Sequence, residues 1–303
     1  MSCSQHKTEK GVSFKTTENS WVRKRKWYSF YDGTYAPHLS PEERTAVKGK
    51  RELAAKRLPW RKPGSSSSQL RTFWKSDEGK SLAAPPAASP IEKSKTKRVL
   101  KALEMGCGTG ENVMELFLSP LEFQVVIGVD IVPSALEEAR KLLATAFGEK
   151  DGPKKGESLF PRSIDTSGRR YSLLCADILD EKSRDAILDA AGGPVDFIFD
   201  CQCFHCLREC DNGGKLAAVA YEALLKPGGF ILMLTGSDEE KVDRGPTRLS
   251  RQEVENAFAG TTLKAQRIES FHFDETPHYR KQKCAKPPKG WLSVWRKRSA
   301  DEH

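Results

Sequence analysis

The sequence has no long hydrophobic run, and its longest apolar stretches are the length of a β-strand. A membrane-spanning helix needs about 20 consecutive apolar residues, so none is expected. The first thirty residues lack the apolar core of a signal peptide. Glu9 and Glu18 also interrupt the early basic stretch in a way that an organellar transit peptide disfavours. No internal repeat is present. Apolar residues make up only 38% of the 303, low for a fully packed chain, so a sizeable part is expected to be loop or tail around one large domain. Acidic residues are scarce at the front: residues 1–98 carry 22 Lys and Arg against 9 Asp and Glu, whereas residues 99–303 carry 28 against 32. A basic arm of this kind meets phosphate or an anionic surface, or is simply solvated. Cysteine is the exception to the scarcity, with eight residues. Their spacing is not that of a small disulfide-stapled domain, so free thiols in a reducing compartment are expected. The expected setting is cytoplasmic, with a nuclear or organellar one left open.

Residues 1–60 mix Lys and Arg with aromatics such as Trp21, Trp27 and Tyr31. A serine run, Ser65 to Ser68, follows Pro63–Gly64, and a Pro/Ala/Ser linker runs from Ala83 to Pro90. Such a linker holds neither helix nor central strand. The reading is therefore an N-terminal extension over 1–96 and a folded domain over 97–303, with the packed core beginning near Lys97. Beyond that point apolar runs and helical patterns alternate in α/β fashion. Val99–Met105, Phe123–Asp130, Leu173–Ala176, Val195–Phe199 and Phe230–Leu234 read as strands. Glu111–Leu118, Ala135–Phe147, Lys182–Ala191, Lys215–Leu225 and Arg251–Ala259 read as helices. Leu263–Phe271 and Trp291–Trp295 are final strand candidates, and residues 148–170 read as a surface insertion. Phe123–Asp130 is Val-rich without polar alternation, as a parallel strand covered on both faces should be.

The strongest segment is Leu103–Glu104–Met105–Gly106–Cys107–Gly108–Thr109–Gly110. A glycine-rich turn between strand and helix lets the backbone approach a ligand at the switch point of a parallel sheet. The third glycine comes one residue too early for the dinucleotide fingerprint. Glu104 and Glu111 would also repel a pyrophosphate. Those carboxylates suit a ligand carrying an ammonium and a sulfonium. Asp130 ends the second strand, where a carboxylate accepts both hydroxyls of a ribose; an ordinary helix-capping Asp is the alternative. Asp177 ends the third strand, placed to take an adenine amine with Ile178 against the ring, or again to cap a helix.

Taken in order, Glu104-x-Gly-Cys-Gly-Thr-Gly, Gly128–Val129–Asp130, Ala176–Asp177, Asp196–Phe197–Ile198–Phe199–Asp200 and Leu225–Lys226–Pro227–Gly228–Gly229 resemble the class I S-adenosylmethionine-dependent methyltransferases. The resemblance spans roughly residues 97–297. It implies a doubly wound, Rossmann-like α/β fold with a seven-stranded sheet, mostly parallel with an antiparallel last strand, and S-adenosyl-L-methionine as cofactor. By the same resemblance Gly106, Cys107, Gly108 and Gly110 wrap the methionine part and Glu104 faces its amino group. Asp130 with Ile131 holds the ribose, Asp177 with Ile178 holds the adenine, and Asp200 completes the cofactor set. Asp200–Cys201–Gln202–Cys203–Phe204–His205 further resembles the Asp-Arg-Gly-Cys-Phe-His stretch of the thiopurine, thiol/halide and tellurite-resistance type, which methylates small molecules. Leu58–Pro59–Trp60 followed by Ser68–Gln69–Leu70 resembles the segment that covers the cofactor there, so residues 58–75, and Trp60 in particular, are expected over it; a plain hydrophobic anchor is the alternative for Trp60. Arg-Gly is replaced here by Cys201–Gln202, and the first third is longer and more basic than in that type.

His205 follows the fourth strand, where an acceptor would sit, and is the candidate catalytic base or a pocket-shaping residue. Cys201, Cys203, Cys206 and Cys210 have a spacing that suits zinc or a soft metalloid. They also straddle a loop and a helix start, so burial as thiols is the expectation and no metal is assigned. His272, Asp274 and His278 are read as surface or substrate-pocket residues. The expected partner is a small-molecule methyl acceptor, with a monomer or weak dimer as the assembly. RNA, DNA or protein docking through residues 1–60 is the second reading. The (Asp/Asn)-Pro-Pro-aromatic stretch of amino-group base methylation is missing, as is the Pro-Cys nucleophile of cytosine-C5 methylation. A non-catalytic binding module is a third reading, and the intact Glu104 to Asp130 set argues against it.

Overall fold

The computed structural model describes residues 58, 61, 64–84, 98–148, 162–163, 168–208, 212–242, 245–281 and 286–299, together with 42, 45 and 46. Their strands form one sheet. The seven long strands are β1 Lys101–Met105, β2 Val125–Asp130, β4 Arg170–Cys175, β5 Val195–Cys201, β6 Leu225–Ser237, β8 Leu263–His272 and β9 Lys289–Lys297. Two short ones, β3 Arg162–Ser163 and β7 Arg248–Leu249, lie beside β4 and β6. The order is β4-β2-β1-β5-β6-β9-β8. β1, β2, β4, β5 and β6 pair in parallel, and β9 runs antiparallel to both β6 and β8. This is the doubly wound seven-stranded sheet with an antiparallel last strand that the resemblance implies.

Side chains along each central strand alternate between two buried cores, because successive Cβ atoms point to opposite faces. Ala102, Val126, Phe197 and Leu232 face one core; Leu103, Ile127, Ile198 and Ile231 face the other. The first core is closed by α3 Glu111–Phe117 and α4 Pro133–Ala146. The second is closed by α5 Glu181–Ala191, α7 Gly213–Leu224 and α8 Arg251–Phe258. Local chemistry sets several ends. Pro133 opens α4, Asp180 caps α5 by accepting from Ser183 N at 3.0 Å, and Ser250 with Glu253 forms a capping box on α8.

One boundary differs from expectation. The packed core does not begin at Lys97, because α1 Ser68–Phe73 and α2 Asp77–Ala83 precede the linker and belong to it. Leu70, Phe73, Trp74 and Leu82 are buried in the first core. The Phe73 ring stacks on Phe197 with centroids 5.0 Å apart, and Trp74 lies 5.1 Å from Phe197 and 5.9 Å from Phe123. Lys226–Pro227–Gly228–Gly229 also differs in part: α7 ends before it as expected, but these residues already belong to β6, and the pairing with β5 shifts register there. Most of residues 148–170 lie outside the described residues. No helix among the described residues is long and apolar enough to cross a membrane.

Candidate active site

The carboxyl ends of the parallel strands lie at one end of the sheet, and a glycine turn follows β1 there. Cys107 N donates to Val129 O at 2.9 Å, which ties the turn to β2. Gly106 has φ +62°, and a Cβ on it would lie 2.8 Å from the Cys203 Cβ, so the turn packs against the tip of β5. Gly110, at φ +85°, starts α3 with its Cα against Ala139 of α4, where a Cβ would again approach to 2.8 Å. Both positions need glycine for backbone and for space.

Asp130 closes this turn from β2. Its Oδ2 accepts from Gly108 N and its Oδ1 from Val132 N, both at 2.8 Å. Each carboxylate oxygen keeps a further acceptor direction, so the group can organise the turn and still receive a diol. Burial lifts its pKa to about 6, against the pull of those backbone hydrogen bonds. Glu104, 1% exposed, stands beside it. Asn112 Nδ2 donates to its Oε1 at 2.8 Å, while Oε2 is buried with no hydrogen-bond partner. Burial first, and the charges of Glu111, Asp130 and Asp200 after it, hold the Glu104 carboxyl well above the usual carboxylate range; the Asn112 hydrogen bond acts the other way.

Three features complete the cleft. Residues 58–75 are expected over the cofactor and Asp274 at the surface or in the substrate pocket, but the partners of these side chains leave no signal in the sequence. Arg61 Nε donates to Glu111 Oε1 at 2.7 Å, and Thr109 Oγ1 donates to Glu111 Oε2 at 2.6 Å, so the second acid of the motif carries its own counter-ion. The serine run lies across the rim of the cleft. Ser66 Oγ donates to Glu115 Oε2 at 2.7 Å, Ser67 N to Asn112 Oδ1 at 2.8 Å and Ser68 N to Asp274 Oδ2 at 2.7 Å, with a second, close bond from Ser68 Oγ to Asp274 Oδ1. The third feature is the wall beyond β8, where Phe273 and Asp274 meet Tyr279 of α9 Pro277–Lys281 at the same cleft.

These groups surround a cleft of about 220 Å³. Glu104, the Gly106–Cys107–Gly108 turn and Asp130–Ile131 line its middle, and Asp177 and Ile178 line the side toward β4. His205, buried in α6 Phe204–Leu207, lines it with Cys201, Cys203 and Cys206 on the side toward β5. Two expected cofactor residues are not among the lining residues. Gly110 is turned toward α4, and Asp200, fully buried, accepts from Cys203 N at 2.8 Å, Phe204 N at 3.2 Å and, in a close contact, Tyr221 Oη. All its bonds run to the protein, so Asp200 shapes the start of α6 from beneath. Burial raises its pKa to about 6. Trp60 and Cys210 lie outside the described residues.

Gln202 occupies φ +69° at the cleft. The stretch that it resembles has glycine there, the residue that pays no steric cost in a left-handed conformation. Burial pushes the Cys201 and Cys203 thiols up, so both stay neutral, and Cys206 Sγ contacts Gln202 O at 3.3 Å. Among the described residues no three His, Cys, Asp or Glu converge in a way that would hold a metal ion. His272 Nδ1 lies 2.8 Å from Pro287 O, and His278 packs edge-on to Tyr279.

No protein-family model matches the sequence, and no curated protein does. Solved structures do. One, from work on the conversion of a disulfide bond into a thioacetal group during echinomycin biosynthesis, matches with TM-score 0.56 at 18% identity over 92% of this chain and 94% of that one. An S-adenosylmethionine-dependent methyltransferase from Anabaena variabilis matches with TM-score 0.44 at 19% identity, over 66% and 77%. TehB from Haemophilus influenzae matches with TM-score 0.43 at 15% identity, over 75% and 66%. With its strand order, its lone antiparallel long strand and its glycine turn after β1, the chain has the Rossmann-like fold of S-adenosylmethionine-dependent methyltransferases.

Proposed function

We propose that the protein transfers a methyl group from S-adenosylmethionine to a small-molecule acceptor held between His205 and the wall at residues 271–279. The observation that carries this reading is Glu104 Oε2, a buried carboxylate oxygen with no partner, facing a glycine turn in a cleft. An unsatisfied buried acceptor costs about 1–3 kcal/mol, more when charged, and a ligand ammonium relieves that cost. The residues fit the cofactor along the carboxyl ends of the strands. Glu104 and the Gly106–Gly108 turn take the methionine part, Asp130 with Ile131 the ribose, and Asp177 with Ile178 the adenine. Arg61 is the cation nearest the methionine end, and with Ser65–Ser68 it closes the rim over the cofactor.

When bound, S-adenosylmethionine supplies an electrophilic methyl group on a sulfonium. The protein's part is alignment and exclusion of water; positioning alone contributes about 7–11 kcal/mol to displacements of this kind. His205 stands at the acceptor end, as base for a protic acceptor or as a wall for one with no proton to lose.

Calorimetric titration with S-adenosylmethionine and S-adenosylhomocysteine tests the reading. Both should bind, and Glu104→Gln should weaken the first by tenfold or more while leaving the free protein at least as stable to heat. The absence of heat with either nucleoside would overturn it.

A further inference from the structure

The acceptor end of the cleft is built from unlike parts. Phe271 and Phe273 meet edge to face, with centroids 4.7 Å apart and ring planes at 61°. Asp274 follows directly, held in place by the two hydrogen bonds that Ser68 donates to it. Cys201 and His205 line the same cleft, at and just beyond the end of β5. The described lining carries five carboxylates, Glu104, Glu111, Asp130, Asp177 and Asp274, against one cation, Arg61, which Glu111 already neutralises. Three of those acids, Glu104, Asp130 and Asp177, belong to the cofactor in the reading above, and Glu111 belongs to Arg61. Asp274 is left over. Asp274 is among the acids that, after burial, push the Cys201 thiol up.

We propose that the acceptor is an uncharged nucleophile that becomes a cation on methylation, a thioether sulfur or a heteroaromatic nitrogen on an apolar body, and that Asp274 selects it. The inference rests on the methyltransferase reading and deepens it. In such a transfer the acceptor lone pair forms the new bond to the methyl carbon. The cofactor's sulfur–methyl bond breaks with its electron pair returning to sulfur, and no proton is lost. The single positive charge leaves the cofactor and arrives on the acceptor, so it moves toward the end of the cleft lined by Asp274, Phe271 and Phe273. A carboxylate placed where positive charge develops favours the transition state over the ground state, and an aromatic wall suits an apolar acceptor body. An anionic acceptor differs at the binding step. A halide or chalcogen oxyanion would be repelled by Asp274 on entering the cleft, and the relief of that repulsion as it lost charge would only return what binding had cost. A neutral acceptor enters without that penalty and gains attraction as it becomes a cation.

The test uses the full chain with labelled S-adenosylmethionine and two sets of acceptors: methyl phenyl sulfide and pyridine against iodide and tellurite. Cofactor affinity is measured separately by calorimetry. A neutral acceptor should be preferred by at least tenfold in kcat/KM. Asp274→Asn should cut that preference about tenfold, whereas Ser68→Ala, which removes one tether and keeps the charge, should leave the preference unchanged. As a readout independent of turnover, dimethylphenylsulfonium should bind the S-adenosylhomocysteine complex about tenfold more tightly in the wild type than in Asp274→Asn. Preference for iodide or tellurite, equal selectivity in the two variants, or no turnover of either neutral acceptor by protein that binds the cofactor would overturn the proposal and leave the cofactor reading intact. Failure to bind the cofactor would instead remove the reading beneath it.

Discussion

Asp130 is asked to do two things at once, and its protonation separates them. In the free protein, burial holds it at about 6 rather than the ordinary 3.8. A carboxyl raised in this way binds a proton in the folded chain where the unfolded chain does not. Its contribution to stability is therefore full below about 4 and is lost as pH rises through about 6. The two-unit shift corresponds to at most about 3 kcal/mol. A cation in the cleft reverses the preference, because it favours the charged carboxylate. Asp130→Asn should thus gain stability relative to the wild type between pH 5 and pH 7, as read from urea midpoints. In the wild type, S-adenosylmethionine should bind more weakly as pH falls below 6, with protons released on binding near pH 6. A stability gap between variant and wild type that does not change with pH would show that the burial cost has been misassigned to Asp130.

Among the elements, α1 bridges the core and the rim. Its Phe73 and Trp74 rings are packed against Phe197 and Phe123, while Ser67 and Ser68 at its start reach Asn112 and Asp274. Phe73→Ala should cost about 3–5 kcal/mol of stability, the usual range for a buried phenylalanine. It should also weaken cofactor binding, because the rim is carried on the same helix; thermal melts and titration of the same preparation check both effects. This element was hard to read from the sequence. Leu70, Phe73 and Trp74 have helical spacing, yet they occupy a single short turn between a serine run and a Pro/Ala linker, and no longer periodicity supports them. The parallel strands were easier, because β2 and β5 are apolar on both faces and the turns that end them carry glycine or aspartate. Asp274 meets Ser68 across 206 residues of sequence, and Arg61 meets Glu111 across 50. Contacts of that span leave no mark in local pattern. Asp200 stands at a strand tip that resembles a binding position, and its hydrogen bonds come from Cys203, Phe204 and Tyr221, partners that the local pattern does not announce.

For the whole molecule, these packing relations decide where the chain can be cut. The charge surplus lies in residues 1–98, which invites a cut at the Pro/Ala linker, yet the core crosses that linker. A chain beginning at Lys97 would lose the buried Leu70, Phe73, Trp74 and Leu82 and uncover Phe123 and Phe197. Each such side chain contributes about 1.5–3 kcal/mol through burial. Together they amount to roughly 6–12 kcal/mol, as large as the net stability of many domains, typically about 5–15 kcal/mol. A chain beginning at Leu58, itself buried, keeps α1, α2, Arg61 and the serine run. It should melt cooperatively and bind S-adenosylmethionine within about threefold of the full chain, whereas the shorter one should aggregate or show no cooperative transition. If the chain from Lys97 folded and bound the cofactor as well as the longer one, the rim and its aromatic anchor would be ornaments on a self-sufficient sheet. Equal behaviour of the full chain and the chain from Leu58 would place the positive charge of residues 1–57, which hold 13 Lys and Arg against 6 Asp and Glu, outside the proposed cofactor site, free to serve another surface.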